Sequence, residues 1–207
     1  TEPEEPKRRS SLRLRLLVGL FTLALFGFTV GAGGVLWVFW KYGRNLPEYV
    51  QLAQYEPPVV SRIHAGDGAL LAEYAKEKRV FVPVTEIPTP LIQAFLSAED
   101  KAFYDHFGVD LKALFRATIT NAYNYGSGRR PIGASTITQQ LAKNFLLTNE
   151  VSIERKIKEA ILAIRMERAF TKDQLLALYL NDIYLGMGSY GVAAASLNYF
   201  DKPLSDL

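Results

Sequence analysis

Gly133-Ala-Ser-Thr-Ile-Thr-Gln-Gln-Leu-Ala-Lys-Asn144 is the stretch on which the reading of this chain turns. A glycine opens it, three hydroxyl side chains follow, and two amides, a lysine and an asparagine come after them. Thr136 and Gln139 have the spacing of a capping box, in which a hydroxyl and an amide satisfy the orphan backbone groups of a first helical turn; Ser135 is the alternative cap. The helix then carries Leu141, Ala142 and Phe145 on a buried side. Thr136, Gln140 and Lys143 recur at i, i+4 and i+7 as one polar stripe. Solvated faces favour Glu and Lys over Thr and Gln, so this composition leans toward a groove that grips a phosphate-bearing or sugar-bearing ligand.

Downstream, Ser152 is a plausible N-cap for a helix running through Arg168. Its core face is expected to hold Ile153, Ile157, Ala160, Ile161 and Ile164. On the opposite side Arg155, Lys156 and Glu159 converge, with Lys158 rotated to the fringe. Two cations beside one carboxylate make either an intrahelical ion pair, worth roughly a few tenths of a kcal/mol, or a cradle for a diphosphate. A third helix starts at the Thr171-x-x-Gln174 capping box and carries Leu175, Leu176, Leu178 and Tyr179 toward Asn181. Gly186, Gly188 and Gly191 then break the chain before Val192-Ala-Ala-Ala195, whose small side chains permit close packing.

Upstream, Thr89-Pro90 opens a helix with proline in its first turn. At about 100° per residue, Ile92, Phe95, Leu96, Glu99 and Phe103 share one side, with Asp100 toward its edge. Glu99 is thus expected on an apolar face, where burial disfavours the ionised carboxylate. A structural Glu paired with a distant Arg or Lys is the alternative. Asp110 to Tyr125 is amphipathic and aromatic (Phe115, Tyr123, Tyr125), either packed on the core or dipping into lipid. A basic loop with Arg129 and Arg130 follows, either solvated or folding over an anion. His106, ahead of Gly108, reads as a hydrogen-bonding residue at a helix end, and His64 is too distant in context to make a metal site with it.

Before the helices, short apolar runs flank Gly66-Asp-Gly68, the signature of a β-hairpin, and Arg79 to Val84 could add a third strand. Residues 41–58 read as a linker interrupted by Pro47, Pro57 and Pro58. Lys7, Arg8, Arg9, Arg13 and Arg15 precede an uncharged run from Leu16 to Trp40 that would span about 37 Å as a helix, enough for a bilayer core. Trp37, Trp40 and Tyr42 sit where an interfacial aromatic belt lies, and the basic cluster places the N-terminus in the cytoplasm. The run is too long for the apolar part of a signal peptide and lacks a clear cleavage site, which favours an uncleaved anchor. The 24 Lys and Arg against 21 Asp and Glu give a net charge of +3, too mild to imply nucleic-acid binding. Cysteine is absent, so neither a disulfide nor a thiolate metal site is available. The chain begins with Thr1, which suggests a piece of a longer protein.

Taken together these segments resemble the peptidoglycan glycosyltransferase domain of class A penicillin-binding proteins and their monofunctional relatives. Five motifs stand in the family's order: Glu99-Asp-Lys-Ala-Phe-Tyr-Asp-His106-Phe-Gly108, Gly133 to Asn144, Arg155-Lys-Ile-Lys-Glu159, Leu175-Leu-Ala-Leu-Tyr-Leu-Asn181, and Gly188 to Phe200. Ala134 and Asp201 stand where glycines are common in the family. The resemblance implies a mainly α, lysozyme-like glycosyltransferase domain with a small β-hairpin segment, behind one N-terminal transmembrane helix. The expected layout is a cytoplasmic basic tail (1–15), a signal anchor (16–40), a juxtamembrane linker and hairpin segment (41–88), and a glycosyltransferase domain (89–207) lacking its last helices.

The implied activity is polymerisation of lipid II into β-1,4-linked glycan with inversion and release of undecaprenyl diphosphate. By motif matching Glu99 is the general base and Glu159 the second essential carboxylate. Lys143, Arg155 and Lys156 neutralise the diphosphate, and Ser135, Thr136, Gln140, Asn144 and Tyr184 line the groove. No cofactor is required, although the chemistry leaves room for a divalent cation, Mg or Mn, at the diphosphate; the sequence shows no dedicated metal-ligand cluster. The partners implied are lipid II, a lipid-linked glycan chain and inner-membrane lipid, with cell-wall or division proteins as further candidates and no nucleic acid. The catalytic part is expected on the outer side of the bacterial inner membrane. No Ser-x-x-Lys acylation motif is present, so this stretch should not bind penicillin covalently, although the parent protein is expected to be bifunctional. Two other readings stay open: a lysozyme-like glycan hydrolase, and an inactive membrane-anchored scaffold.

Overall fold

The computed structural model describes residues 9–44, 46–47, 61–68, 70–74, 81–147, 150 and 152–207. The chain divides into two units, Thr1–Asn45 and Leu46–Leu207. The first is one long helix, α1 (Arg9–Gly43), which begins inside the basic cluster and outruns the expected span at both ends. Within it, Leu14–Gly43 has a mean hydropathy of 2.0 and none of the apolar window is buried by protein. Thirty helical residues reach about 45 Å, long enough to cross a bilayer. At its C-terminal end the Lys41 ammonium lies 4.9 Å from the Trp37 ring and 5.1 Å from Tyr42, and the Arg44 guanidinium lies 4.6 Å from Trp40. Cations there also complement the negative end of the helix dipole. Lys7 and Arg8 lie outside the described residues.

In the second unit, β1 (Ser61–His64) and β2 (Leu70–Tyr74) form the expected antiparallel hairpin around Asp67-Gly68. The third strand expected over Arg79 to Val84 falls partly outside the described residues. The described part is not a strand: residues 81–83 are irregular and Val84–Glu86 is a single 3-10 turn. The reason lies across the fold. The Asn181 side chain takes both ladder groups of Val82, accepting from its N–H at 2.8 Å and donating to its carbonyl at 2.8 Å. A side-chain amide occupies the place of a neighbouring strand.

The remaining elements are α2 (Thr89–Glu99), α3 (Leu111–Tyr123), α4 (Ile137–Leu146), α5 (Ile153–Ala169), α6 (Lys172–Asp182) and α7 (Val192–Phe200). Both expected capping boxes are present, Thr136 with Gln139 on α4 and Thr171 with Gln174 on α6. Helix α6 is central: Leu175, Leu176, Tyr179 and Leu180 are buried and pack with Ile137 and Leu141 of α4, Leu162 and Met166 of α5, and Val192 and Ala193 of α7. Each such Leu removed from water contributes about 1.5–3 kcal/mol, so this layer sets the positions of α4 and α5.

Three expectations about faces need correction. Helix α2 stops at Glu99, so Phe103 is not on it; Phe103 lies in a 3-10 turn (Phe103–Asp105) and is buried in the core. Ile153 is 83% exposed and Ile157 and Ile164 are half-buried, although Ile161 is buried as expected, because α5 also turns Glu159, Leu162, Ala163 and Met166 inward, on the side roughly opposite the isoleucine stripe. Helix α3 buries only Ala117 among its described side chains, so it is not a core-packed helix. Its stripe Leu111, Leu114, Phe115 and Ile119 is exposed, as are Tyr123 and Tyr125.

Candidate active site

The site grows from a buried junction where the loop after α2 meets the start of α4. Asp100, 6% exposed, accepts from the Ile137 N–H at 3.0 Å and from His106 Nε2 at 3.0 Å. Gly108 N–H donates to His106 Nδ1 at 3.2 Å, so Nε2 carries the ring proton and donates it to Asp100. Gly108 also has φ +88, and a Cβ there would stand 2.7 Å from the Ala163 carbonyl, so only glycine fits against α5. Its own carbonyl accepts from the Thr136 hydroxyl at 2.6 Å. Lys172 holds the same loop from α6, donating to the His106 carbonyl and to Glu167. Asp100 and His106 were not assigned this role from sequence. The available signal was an acid, a histidine and a glycine spaced six and two apart beside the candidate base.

Next to this junction, Glu99 ends α2 exposed, not buried. The apolar residues of α2 (Leu91, Ile92, Phe95, Leu96) pack against the core, while the last residue of the helix turns outward as the chain breaks toward Asp100. Glu99 accepts from Gln140 Nε2 at 2.8 Å, and Gln140 Oε1 accepts from the Tyr179 hydroxyl at 3.4 Å. Burial, then the negative charges of Glu99 and Asp100, push the Tyr179 hydroxyl well above the usual phenol range, so it stays protonated.

Of the two carboxylates expected in the site, the buried one is instead Glu159, at 2% exposure. One of its oxygens accepts from Arg155 Nη1 and the other from Lys156 Nζ at 2.8 Å. Lys156 also donates to the Ser135 hydroxyl at 2.7 Å, joining α5 to the segment before α4. Arg155 Nε is buried with no hydrogen-bond partner among the described residues. Lys143 has no ion-pair partner among them, and Lys158 is turned away to Glu154.

Two cavities meet at Glu99. One, of about 390 Å³, is lined by Glu99, Ser135, Gln140, Lys143, Arg155, Lys156 and Glu159. The other, of about 520 Å³, holds Glu99, Lys101, Lys112, Arg116 and Ser135 on its walls. Seven of the residues expected from sequence therefore converge on one cavity. Thr136 lines the other, but it is 2% exposed and its hydroxyl is spent donating to Gly108 and capping Gln139 N–H. Asn144 is exposed and lines neither cavity, being about 100° round α4 from Lys143. Tyr184 packs its ring on Tyr190, 5.0 Å between centroids, and likewise lines neither. Among the described residues no three His, Cys, Asp or Glu side chains cluster to hold a metal ion.

The domain is mainly helical, with one exposed and one buried carboxylate about a cation-lined cleft. The chain belongs to the transglycosylase family: the family model described as Transglycosylase matches residues 67–207, and with it comes the lysozyme-like fold class. Penicillin-binding protein 1A of Rickettsia conorii is 56% identical over 190 residues, covering 91% of this chain and 24% of that protein. The proteins of the same name from Aquifex aeolicus and Escherichia coli K12 are 43% and 42% identical, covering 93% and 89% of this chain and 26% and 21% of their own lengths. The chain thus spans about a quarter of the length of the curated relatives it matches.

Proposed function

We propose that this chain polymerises lipid II into β-1,4-linked glycan as the glycosyltransferase part of a bifunctional penicillin-binding protein. The observation that carries this reading is the place of Glu99, on the boundary of two cavities of which one is walled by Lys143, Arg155 and Lys156. The cationic cavity takes the diphosphate of the growing lipid-linked chain. The other takes the acceptor, with Lys101, Lys112 and Arg116 suited to the acceptor's own diphosphate. Glu99 accepts the proton of the acceptor 4-hydroxyl as that oxygen attacks the donor anomeric carbon. The bond from that carbon to the diphosphate oxygen breaks on the opposite face, so configuration inverts and undecaprenyl diphosphate leaves. The departing charge is met by cations already fixed in place, which is where preorganised electrostatics lowers a barrier most. Glu159 orients Arg155 and Lys156 from beneath.

Both Glu159 oxygens are already taken by cations, and among the described residues no three His, Cys, Asp or Glu side chains cluster there, so these residues do not fit a resident Mg or Mn ion. No step is routed through one. Helix α1 anchors the chain in the inner membrane with its basic end cytoplasmic and its catalytic unit outside, which suits substrates held in the bilayer by polyprenyl tails. The exposed apolar stripe of α3 suits contact with the same lipid surface. Glu99→Gln tests the assignment: glycan polymerisation by the full chain should vanish while lipid II binding largely survives. Turnover at the wild-type rate refutes the base.

A further inference from the structure

We propose that Tyr179, a core residue of α6 that touches no substrate, is a positioning residue whose hydroxyl fixes the Gln140 amide so that Gln140 holds the Glu99 carboxylate at the junction of the two cavities. The inference rests on the reading of Glu99 as the base. An exposed Glu has several rotamers to choose from, and fixing such a side chain costs up to about 2 kcal/mol of conformational entropy. A general base must nevertheless sit within hydrogen-bond reach of the proton it removes. The tether available is the 2.8 Å bond from Gln140 Nε2.

That bond demands one orientation of the amide. An ionised carboxylate only accepts, so the NH2 group must face Glu99 and the carbonyl must face the other way. The other way is Tyr179, whose hydroxyl can then act only as donor to Gln140 Oε1, at 3.4 Å. Reversing the amide would set two oxygens against each other at Glu99, and the Tyr179 hydroxyl would have to turn from donor to acceptor. The phenol stays protonated for the reasons given above, so the donor is permanent across the working pH range.

Stability does not account for the hydroxyl. Tyr179 is 1% exposed, its ring packs edge-on to Phe95 with centroids 6.3 Å apart, and a phenylalanine would fill the same space. A buried hydroxyl is costly to desolvate, and a bond at the long end of the range returns little of that cost. The gain is directional, and it falls on the base.

The test uses the full chain in detergent with Tyr179→Phe, Gln140→Leu and the double variant. Lipid II turnover gives kcat and KM, and carbon-13 NMR of labelled Glu at one fixed pH, assigned with Glu99→Gln, gives the position and width of the Glu99 carboxyl resonance. The charged groups lining the two cavities, Asp100, Lys101, Asp110, Lys112 and Arg116 on one side and Lys143, Arg155, Lys156 and Glu159 on the other, are the same in every variant. Tyr179→Phe should melt with the wild type, lose about three- to tenfold in kcat with little change in KM, and move the Glu99 resonance toward its position in Gln140→Leu. Gln140→Leu should move it further, and adding Tyr179→Phe to Gln140→Leu should change nothing more. An unmoved resonance and kcat in Tyr179→Phe, or an equal effect of that change with and without Gln140, overturns the relay. If Tyr179→Phe fails to fold, an unmoved resonance in Gln140→Leu overturns it alone. A wild-type chain that does not polymerise lipid II would sink the proposed function, and the NMR resonances would still decide the relay.

Discussion

Replacing Glu159 by Gln removes the one charge that compensates two cations in the floor of the cleft. The Glu159 side chain is 3% exposed, Arg155 16% and Lys156 47%. Breaking a fully buried pair by removing one partner costs about 3–5 kcal/mol, while an exposed pair contributes about 0–1 kcal/mol. The Arg155 pair lies near the first limit and the Lys156 pair nearer the second, since half of Lys156 can return to water. The amide of Gln still accepts one hydrogen bond. We therefore expect a net loss of about 2–3 kcal/mol, which for a unit of this size lowers the melting temperature by about 5–10 °C.

The same substitution should reverse the response to anions. In the wild type a diphosphate entering the cavity competes with Glu159 for Arg155 and Lys156; in Glu159→Gln it meets them uncompensated. Inorganic pyrophosphate at a hundred times its dissociation constant should restore about 2.7 kcal/mol, close to the whole deficit. The assay is thermal unfolding of both proteins across a pyrophosphate series, with sodium chloride at matched ionic strength. Equal melting temperatures, or equal pyrophosphate responses in the two proteins, would refute the argument that Glu159 serves as the counter-ion of the empty cleft.

Lys143→Ala should weaken binding of a diphosphate lipid by about tenfold without changing the melting temperature, because Lys143 has no ion-pair partner among the described residues to lose; calorimetric titration measures it. Asp100→Asn turns a carboxylate that accepts from two donors into a group that must point a donor at another donor, either His106 Nε2–H or Ile137 N–H. It should cost about 1–3 kcal/mol in chemical denaturation and also lower kcat, since Glu99 is its chain neighbour. Gly191→Ala should destabilise by about 2 kcal/mol or more: φ is +82 and the new Cβ would stand 2.6 Å from the Asn181 carbonyl, so a melting temperature unchanged from wild type would contradict the packing of α7 on α6.

Local chemistry was legible in the sequence and tertiary choice was not. Thr136 with Gln139 and Thr171 with Gln174 announced two helix starts because a capping box closes within four residues. The Asp67-Gly68 turn announced the hairpin for the same reason. Burial of the carboxylates came out reversed. Helical periodicity names the faces of a helix but not which face meets a neighbour. On α5 the isoleucines suggested one face, of which Ile161 is buried, and packing on α4 and α6 turned inward a further face that includes Glu159. On α2 the pattern ran on past Asp100, whose side chain had already been taken by His106 and by Ile137, 37 residues away. Thr136 does line the second cavity, but that its hydroxyl is engaged was not legible, because its second partner, the Gly108 carbonyl, lies 28 residues upstream. Asn144 and Tyr184 came from motif matching alone, which carries no angle.

The reversal of the two carboxylates bears on the choice between transfer and hydrolysis. A hydrolase working with a pair of acids needs one of them free to donate a proton to the glycosidic oxygen and the other free to act on the opposite face of the sugar. Glu159 has neither freedom: both its oxygens accept from cations, and almost none of it is exposed. A leaving diphosphate, unlike a leaving sugar, needs no proton, only positive charge at the oxygen that departs. On the proposed reading Lys143, Arg155 and Lys156, which line the cavity that Glu99 shares, supply that charge. One exposed carboxylate to take a proton and one buried carboxylate to hold cations are what displacement of a diphosphate by a sugar hydroxyl requires.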